Sequence, residues 1–315
     1  MDVLTFGETM IALRAAGPLA LNPNISATIA GAESNVAIAL ARLGHDVQWA
    51  GRVGNDTGGE LIRRTLRAEA VGQDHLTIDS RRQTGILIFE QRLPDLTNVS
   101  YFRQDSAGSA LTADHIAPAM AEGPRVLHLT GITCALGPCA ADAVQQAAAA
   151  AHTAGITVTF DVNYRAKLWN RKDAGEALRK LLPFIDVLIG SPEELTLLMG
   201  DGTADDETTV ASSFIGQGIR EVIVKLGAGG ARLHTNNGTL HSPARDITAV
   251  DSVGAGDAFT AGYISGLLTS RPAEERLRLA NVLGAFAVAS KGDWEGLPTT
   301  SELTLLDAEN GAAVR

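Results

Sequence analysis

Two periodicities alternate along this chain. "VLTFGE", starting at residue 3, is a short apolar run that predicts a strand. "AESNVAIALARLG" (32–44) carries apolar residues at helical spacing until Gly44 stops it. "VQWAGRVG" (47–54) predicts a strand entering a turn. "NDTGGELIRRTLRAEAVG" (55–72) predicts an amphipathic helix, with Asp56 as N-cap and Gly72 near its end.

The pattern then changes. "TGILIFEQ" (84–91) and "TNVSYFRQ" (97–104) read as two strands with "RLPDL" as the turn between them. No helix intervenes, so an antiparallel hairpin is expected within a strand–helix chain. Residues 19–30 lack helical spacing and are expected to pair with that hairpin. Together they predict a small β-sheet standing off the main body, its strands inserted at about 11–32 and 83–106 of a single domain spanning 1–315.

From "VLHLTG" (126–131) onward, strand–helix alternation resumes. "AADAVQQAAAAAHTAG" (140–155) predicts a helix, because alanine is the best helix former. "ITVTFDVN" (156–163) is a strand that ends on Asp161 and Asn163. "DVLIGSPEELTLLMG" (186–200) is a strand, a tight turn and a helix. "REVIVKLGAGGARLHT" (220–235) is two strands around a glycine turn, and two helices close the chain. Such β–α units predict a doubly wound, mostly parallel sheet with helices on both faces. Ligands of such sheets bind beyond the carboxyl ends of the strands.

Composition narrows the function classes. The 315 residues, 45% of them hydrophobic, suffice for a sizeable core, and 4% aromatics make it aliphatic. A net charge of −10 without a dense basic run argues against nucleic acid. Cys134 and Cys139 have no matching Cys/His pair for zinc and read as free thiols. With no signal-like start and no membrane-length apolar run, a soluble cytoplasmic protein is expected.

The chemistry gathers at glycine-rich turns. In "DSVGAGDAFTAG" (251–262), Gly254 and Gly256 let a helix N-terminus approach a phosphate, and Ala255 lies between them. Asp257 in the first turn is either a helix cap or a base for an attacking hydroxyl. Gly262 and Gly266 are expected to permit close helix–sheet packing. "SPEE" (191–194) offers two carboxylates for a hydrated Mg²⁺, or simply a helix start. Neither the Walker pattern nor the dinucleotide fingerprint occurs, which weakens a Walker ATPase and a nicotinamide oxidoreductase.

"DSVGAGDAFTAG", "GRVGNDTGG" (51–59), the hairpin and "KLGAGG" together resemble the ribokinase-like (PfkB) sugar kinases, from Val3 to about Leu305. The resemblance implies a Rossmann-like α/β domain with a β-sheet lid, and ATP and Mg²⁺ as cofactors. It makes Asp257 the base and gives the backbone of Gly254, Ala255 and Gly256 the charge on the transferred phosphoryl group. Lys225, Gly227 and Gly229 would flank the nucleotide and Asn281 the adenine. Glu194 falls on a family glutamate that influences Mg²⁺. Ser191 replaces the asparagine of that motif. Some members hold a monovalent cation such as K⁺ at positions like Asp251 and Val253. Lid sheets in the family often meet across subunits, so a homo-oligomer, a dimer or higher, is expected.

"GAESNVA" (31–37), "YFRQDSAGSAL" (101–111) and "DVNYRAKLW" (161–169) resemble the 2-keto-3-deoxygluconate kinase branch. That resemblance implies a sugar-acid substrate. Gly31 and Asn35 would touch the sugar. Tyr101, Arg103 and Arg165 would hold its keto-acid end, and Asp257 and Asp293 its far hydroxyls. Leu87 stands where some relatives have a tyrosine. A ribokinase- or fructokinase-like kinase of another sugar or sugar acid, and a non-catalytic sugar or nucleotide sensor, remain alternatives.

Overall fold

The computed structural model describes residues 1–19, 24–93, 96–200 and 206–307. Nine strands form the main sheet: β1 (Val3–Gly7), β4 (Val47–Gly54), β5 (Leu76–Asp79), β8 (Val126–Thr130), β9 (Thr157–Asp161), β10 (Val187–Gly190), β11 (Glu221–Lys225), β12 (Ala231–Thr235) and β13 (Gly238–Ser242). Their order is β13-β12-β11-β10-β9-β8-β1-β4-β5. The strands from β11 through β5 pair in parallel, and β12 and β13 add an antiparallel end.

Alternate residues of each parallel strand enter opposite cores, so these strands read as continuous apolar runs. Leu127, Leu129, Val158 and Phe160 join one core, which the helices Pro138–Thr153 and Arg171–Leu178 cover. Val3, Val47, Val53 and Val126 join the other, against the helices Ala32–Arg42, Thr57–Ala68 and Ala255–Leu268. Asp56 caps Thr57–Ala68 as expected, accepting from the Gly59 N–H at 2.8 Å. Gly262 and Gly266 act differently from expectation. A Cβ on Gly262 would meet the Ala280 Cα at 2.8 Å, and one on Gly266 the Arg276 Cγ at 2.7 Å. Both therefore serve packing against the neighbouring helix Ala273–Val288, not against the sheet.

The lid is a separate sheet of β2 (Met10–Ala15), β3 (Ile25–Ala30), β6 (Ile86–Leu93) and β7 (Leu96–Phe102), in the order β3-β2-β6-β7. β6 and β7 form the expected antiparallel hairpin, while Pro94 and Asp95 of its expected turn lie outside the described residues. The 19–30 stretch does not pair with the hairpin directly. β3 pairs with β2, which in turn runs parallel to β6. The alternating run "MIALRA" supplies this missing strand, with Ala12 and Leu87 in register on one face. Asp56 also anchors the lid, since its carboxylate accepts from both the N–H and hydroxyl of Thr84, just before β6.

Candidate active site

Five of the parallel strands end around one cleft of about 650 Å³, which the lid overhangs. β1 delivers Glu8, β9 Asp161 and Asn163, β10 Ser191 and Glu194, and β11 Lys225, while β8 leads to Ile132. This is the carboxyl-end position expected of an open α/β sheet.

The helix Ala255–Leu268 begins here without a side-chain cap. Gly254 holds φ +76°, and a Cβ on it would lie 2.0 Å from the Asp293 carbonyl oxygen, so glycine is required twice over. Gly254, Gly256 and Asp257 line the cleft. The first N–H groups of this helix and the positive end of its dipole face the cleft, chemistry that suits an anion.

Asp257 is no cap. Its Oδ2 accepts from Asn35 Nδ2 at 2.8 Å and its Oδ1 from Asn163 Nδ2 at 3.2 Å. Burial pushes its carboxyl up to about 6, against the pull of the Asn35 hydrogen bond and the Arg165 charge. A carboxyl near 6 is ionised at neutral pH yet basic enough to share a proton with a hydroxyl. Asn163 sits at φ +40°, a conformation asparagine tolerates.

Lys225 packs beneath this helix start. Its Nζ donates to both Asp161 oxygens at 2.8 and 2.7 Å and lies 3.5 Å from where a Gly256 Cβ would be. Burial opposes its charge, but Asp161, Glu194 and Asp257 overrule that and hold its pKa above the ordinary value. Thr260 also donates to Asp161, at 3.0 Å. A distant strand thus places a lysine beside the glycine turn, which itself carries none.

Glu194 completes a capping box. It accepts from the Ser191 N–H at 2.8 Å, and Ser191 Oγ accepts from the Glu194 N–H at 3.2 Å. Its other oxygen takes the Tyr164 N–H at 2.8 Å. Gly227 and Gly229 form an exposed turn after β11, outside the cleft lining. Asn281 is also set back. It is buried and donates to the Ser242 and Pro243 carbonyls, bracing the segment against which Gly230 packs.

Gly31 starts the helix Ala32–Arg42, again without a side-chain cap, one turn before Asn35. Tyr101 lies between two cations, Arg103 at 5.9 Å and Lys167 at 5.8 Å from its ring. Lys167 also donates to the Val99 carbonyl at 2.7 Å, tying the 163–170 loop to the lid. Arg103 forms a buried ion pair with Glu8, whose other oxygen takes the Ser106 hydroxyl. Arg165 is exposed and has no hydrogen bond or ion pair among the described residues. Leu87 is buried, with Met10, Phe89 and Val99, in an apolar lid surface over the cleft. Asp293 is buried beside Arg14 at 2.9 Å. Burial, and behind it Asp257 and Glu295, push its carboxyl up to about 7 despite the Arg14 charge.

The fold thus brings together Gly31, Asn35, Leu87, Tyr101, Arg103, Arg165, Ser191, Glu194, Lys225, Val253, Gly254, Gly256, Asp257 and Asp293 in one lining. It adds Glu8 and Asn163 to that lining, with Arg14 and Asp161 behind it on Asp293 and Lys225, four residues that no motif singles out as site residues.

The sequence profile of the pfkB family carbohydrate kinases matches residues 1–300. The chain belongs to this family. Among relatives of this pfkB kinase, a 2-dehydro-3-deoxygluconokinase of Bacillus subtilis is 34% identical over 309 residues, covering 96% of this chain and 94% of its own. A 2-dehydro-3-deoxygalactonokinase of Haloferax volcanii is 33% identical over 297 residues, covering 93% and 92%. The crystal structure of a putative ribokinase II from E. coli, in complex with ATP and Mg²⁺, matches with a TM-score of 0.89. It is 25% identical and covers 97% of this chain and 98% of that one. PfkB kinases use ATP with Mg²⁺. The residues here fit that pair: an uncapped helix start and Lys225 suit phosphates, and Glu194 keeps free lone pairs toward the cleft. No helix among the described residues is long and apolar enough to cross a membrane.

Proposed function

We propose that this pfkB kinase transfers the γ-phosphoryl group of ATP to the terminal (6-) hydroxyl of 2-keto-3-deoxygluconate, giving 2-keto-3-deoxy-6-phosphogluconate and ADP. One observation carries the reading: a buried carboxylate, Asp257, beside an uncapped helix start, and an unpaired guanidinium, Arg165, in the same cleft lining. The names of the two sugar-acid relatives support it.

Asp257 takes the proton of the terminal hydroxyl as its oxygen forms the bond to the γ-phosphorus and the bond to ADP breaks. Asn35 and Asn163 hold the carboxylate in place. The backbone of Gly254, Ala255 and Gly256, with Lys225 beneath it, meets the charge that spreads over the phosphoryl oxygens. Bound Mg²⁺ would neutralise phosphate charge, with Glu194 holding it through water. Gly227 and Gly229 would flank the nucleotide. Asn281 would support the adenine side by bracing the Ser242–Pro243 segment, and Ser191 by shaping the helix start.

Arg165, Arg103 and Tyr101 would hold the keto-acid end, Gly31 and Asn35 the middle, and Asp257 and Asp293 the far hydroxyls. The apolar lid patch of Met10, Leu87, Phe89 and Val99 suits a sugar with a deoxy carbon. Such an enzyme would work in the cytoplasm, where ATP is supplied, and would pair through its lid.

The Glu8–Arg103 ion pair favours a second reading, a neutral-sugar kinase like ribokinase or fructokinase. With Glu8 neutralising it, Arg103 would read hydroxyls. Arg165→Ala separates the two. For a sugar acid, KM should rise roughly ten- to a hundredfold with the ATP KM unchanged. A coupled ADP-release assay over sugars and keto-sugar acids reads this, and an unchanged KM would reject the acid.

A further inference from the structure

Asp251, one of the two positions implied for a monovalent cation, already faces a fixed cation here. Asp251 Oδ1 accepts from the Val253 N–H at 3.1 Å, and Oδ2 accepts from the Gly292 N–H at 3.4 Å. That same Oδ2 faces the Arg14 guanidinium at 3.6 Å. Arg14 Nη2 also donates to Asp293 Oδ2 at 2.9 Å, and its guanidinium lies 4.0 Å from the centre of the Phe89 ring.

Arg14 thus joins two loops, one before the anion hole and one after the helix Ala273–Val288. These loops touch at the anion hole itself, where the Asp293 carbonyl packs against Gly254. Two carboxylates here would repel an incoming phosphate unless a cation balanced them. A guanidinium stays protonated at any physiological pH and presents a rigid fork to two partners. A second cation beside it would be repelled.

We propose that Arg14 replaces the monovalent cation in this kinase, as a positioning residue that supplies a permanent positive charge behind the anion hole. Arg14 lies on β2, so the charge travels with the lid. The lid is further tied to the same loop by Trp294 Nε1 donating to the Ile29 carbonyl at 3.0 Å and Thr28 Oγ1 to Glu295 at 2.7 Å.

The test compares buffers of equal ionic strength whose monovalent cation is tetramethylammonium, Na⁺ or K⁺. Wild-type turnover and melting temperature should be the same in all three. Arg14→Ala should lose turnover roughly ten- to a hundredfold. K⁺ or guanidinium should restore part of that loss, and K⁺ should raise the melting temperature of this variant alone. Arg14→Lys, which keeps the charge, should stay indifferent to K⁺ and covers the case in which Arg14→Ala does not fold. Activation or stabilisation of the wild type by K⁺ would overturn the proposal. So would an Arg14→Ala protein that answers to no cation in either measurement. The turnover arm rests on the sugar-acid reading and the melting arm does not. A wild type inactive on the sugar acid would count against the substrate and leave the cation result standing.

Discussion

Asp257 occupies the first turn of its helix, where aspartates commonly cap, yet its carboxylate turns to Asn35 and Asn163 instead. Two amide donors fix both oxygens, while burial raises the carboxyl to about 6. Only the ionised form can accept a proton, so kcat/KM should climb with pH and level off above about 6. Asp257→Asn should cost roughly 10²- to 10⁴-fold in kcat with ATP binding kept, measured by ADP release and calorimetry. Retention of most of the rate would remove Asp257 as the base. Stability should move the other way. Asp257 and Asp293 are raised to about 6 and about 7, so the native state holds more protons than the unfolded chain above the ordinary carboxylate value of 3.8. Stability then falls as pH rises through that window. Asp257→Asn removes one of these penalties. Its melting temperature should exceed the wild type's at alkaline pH, with the gap closing as pH falls toward that ordinary value.

At the scale of elements, the glycine loop before Ala255–Leu268 separates shape from chemistry. Gly254→Ala forces a side chain into a left-handed residue and against the Asp293 carbonyl, so it should lower both stability and turnover. Gly256→Ala meets only Lys225 Nζ, at 3.5 Å, within a helix that favours alanine. It should melt no lower than the wild type, yet lose turnover roughly a hundredfold because a methyl group blocks the phosphate. Paired urea and ADP-release measurements check this, and full activity in Gly256→Ala would sink the anion hole. The glycine turn and helix start were legible in the sequence because their residues are contiguous. The Asp56 cap, the hairpin and the parallel β–α units were legible because each has a local period or turn signal. Lys225 beneath Gly256, and Asp161 holding Lys225, were not, since they meet only when β9 and β11 are placed. Glu8 and Arg14 are single polar residues in or just after short strands. Arg14's one signal is its position in "MIALRA", on the same face as the inward Ala12. β13 escaped because "GTLHS" has neither period nor flanking apolar run.

The whole molecule carries a net charge of −10, yet its cleft must admit ATP and, on the proposed reading, a sugar acid as well. Arg103, Arg165, Lys167 and Lys225 are the local answer, all of them in the cleft lining. A second whole-molecule problem is the lid, which is apolar on both faces. Leu87 and Phe89 look into the cleft, so strand alternation turns Ile88 and Leu13 outward, in register with each other. Ile25 and Phe102 share that outer face through β3 and β7, and are 51% and 61% exposed. A sheet that leaves such apolar residues exposed among the described residues invites a partner. A second lid of the same kind is the self-complementary choice, as in a two-fold dimer. Light scattering should therefore report roughly twice the 32.9 kDa chain mass. Phe102→Glu should shift the protein toward the monomer, because a charge would be buried unpaired at the contact. In that monomer the lid loses its outer support, so KM for the sugar should rise more than KM for ATP, whose proposed phosphate site is at the glycine turn of the main domain. A wild type that runs as a monomer at assay concentration, or a Phe102→Glu dimer, would mean that the lid's outer face is not the contact.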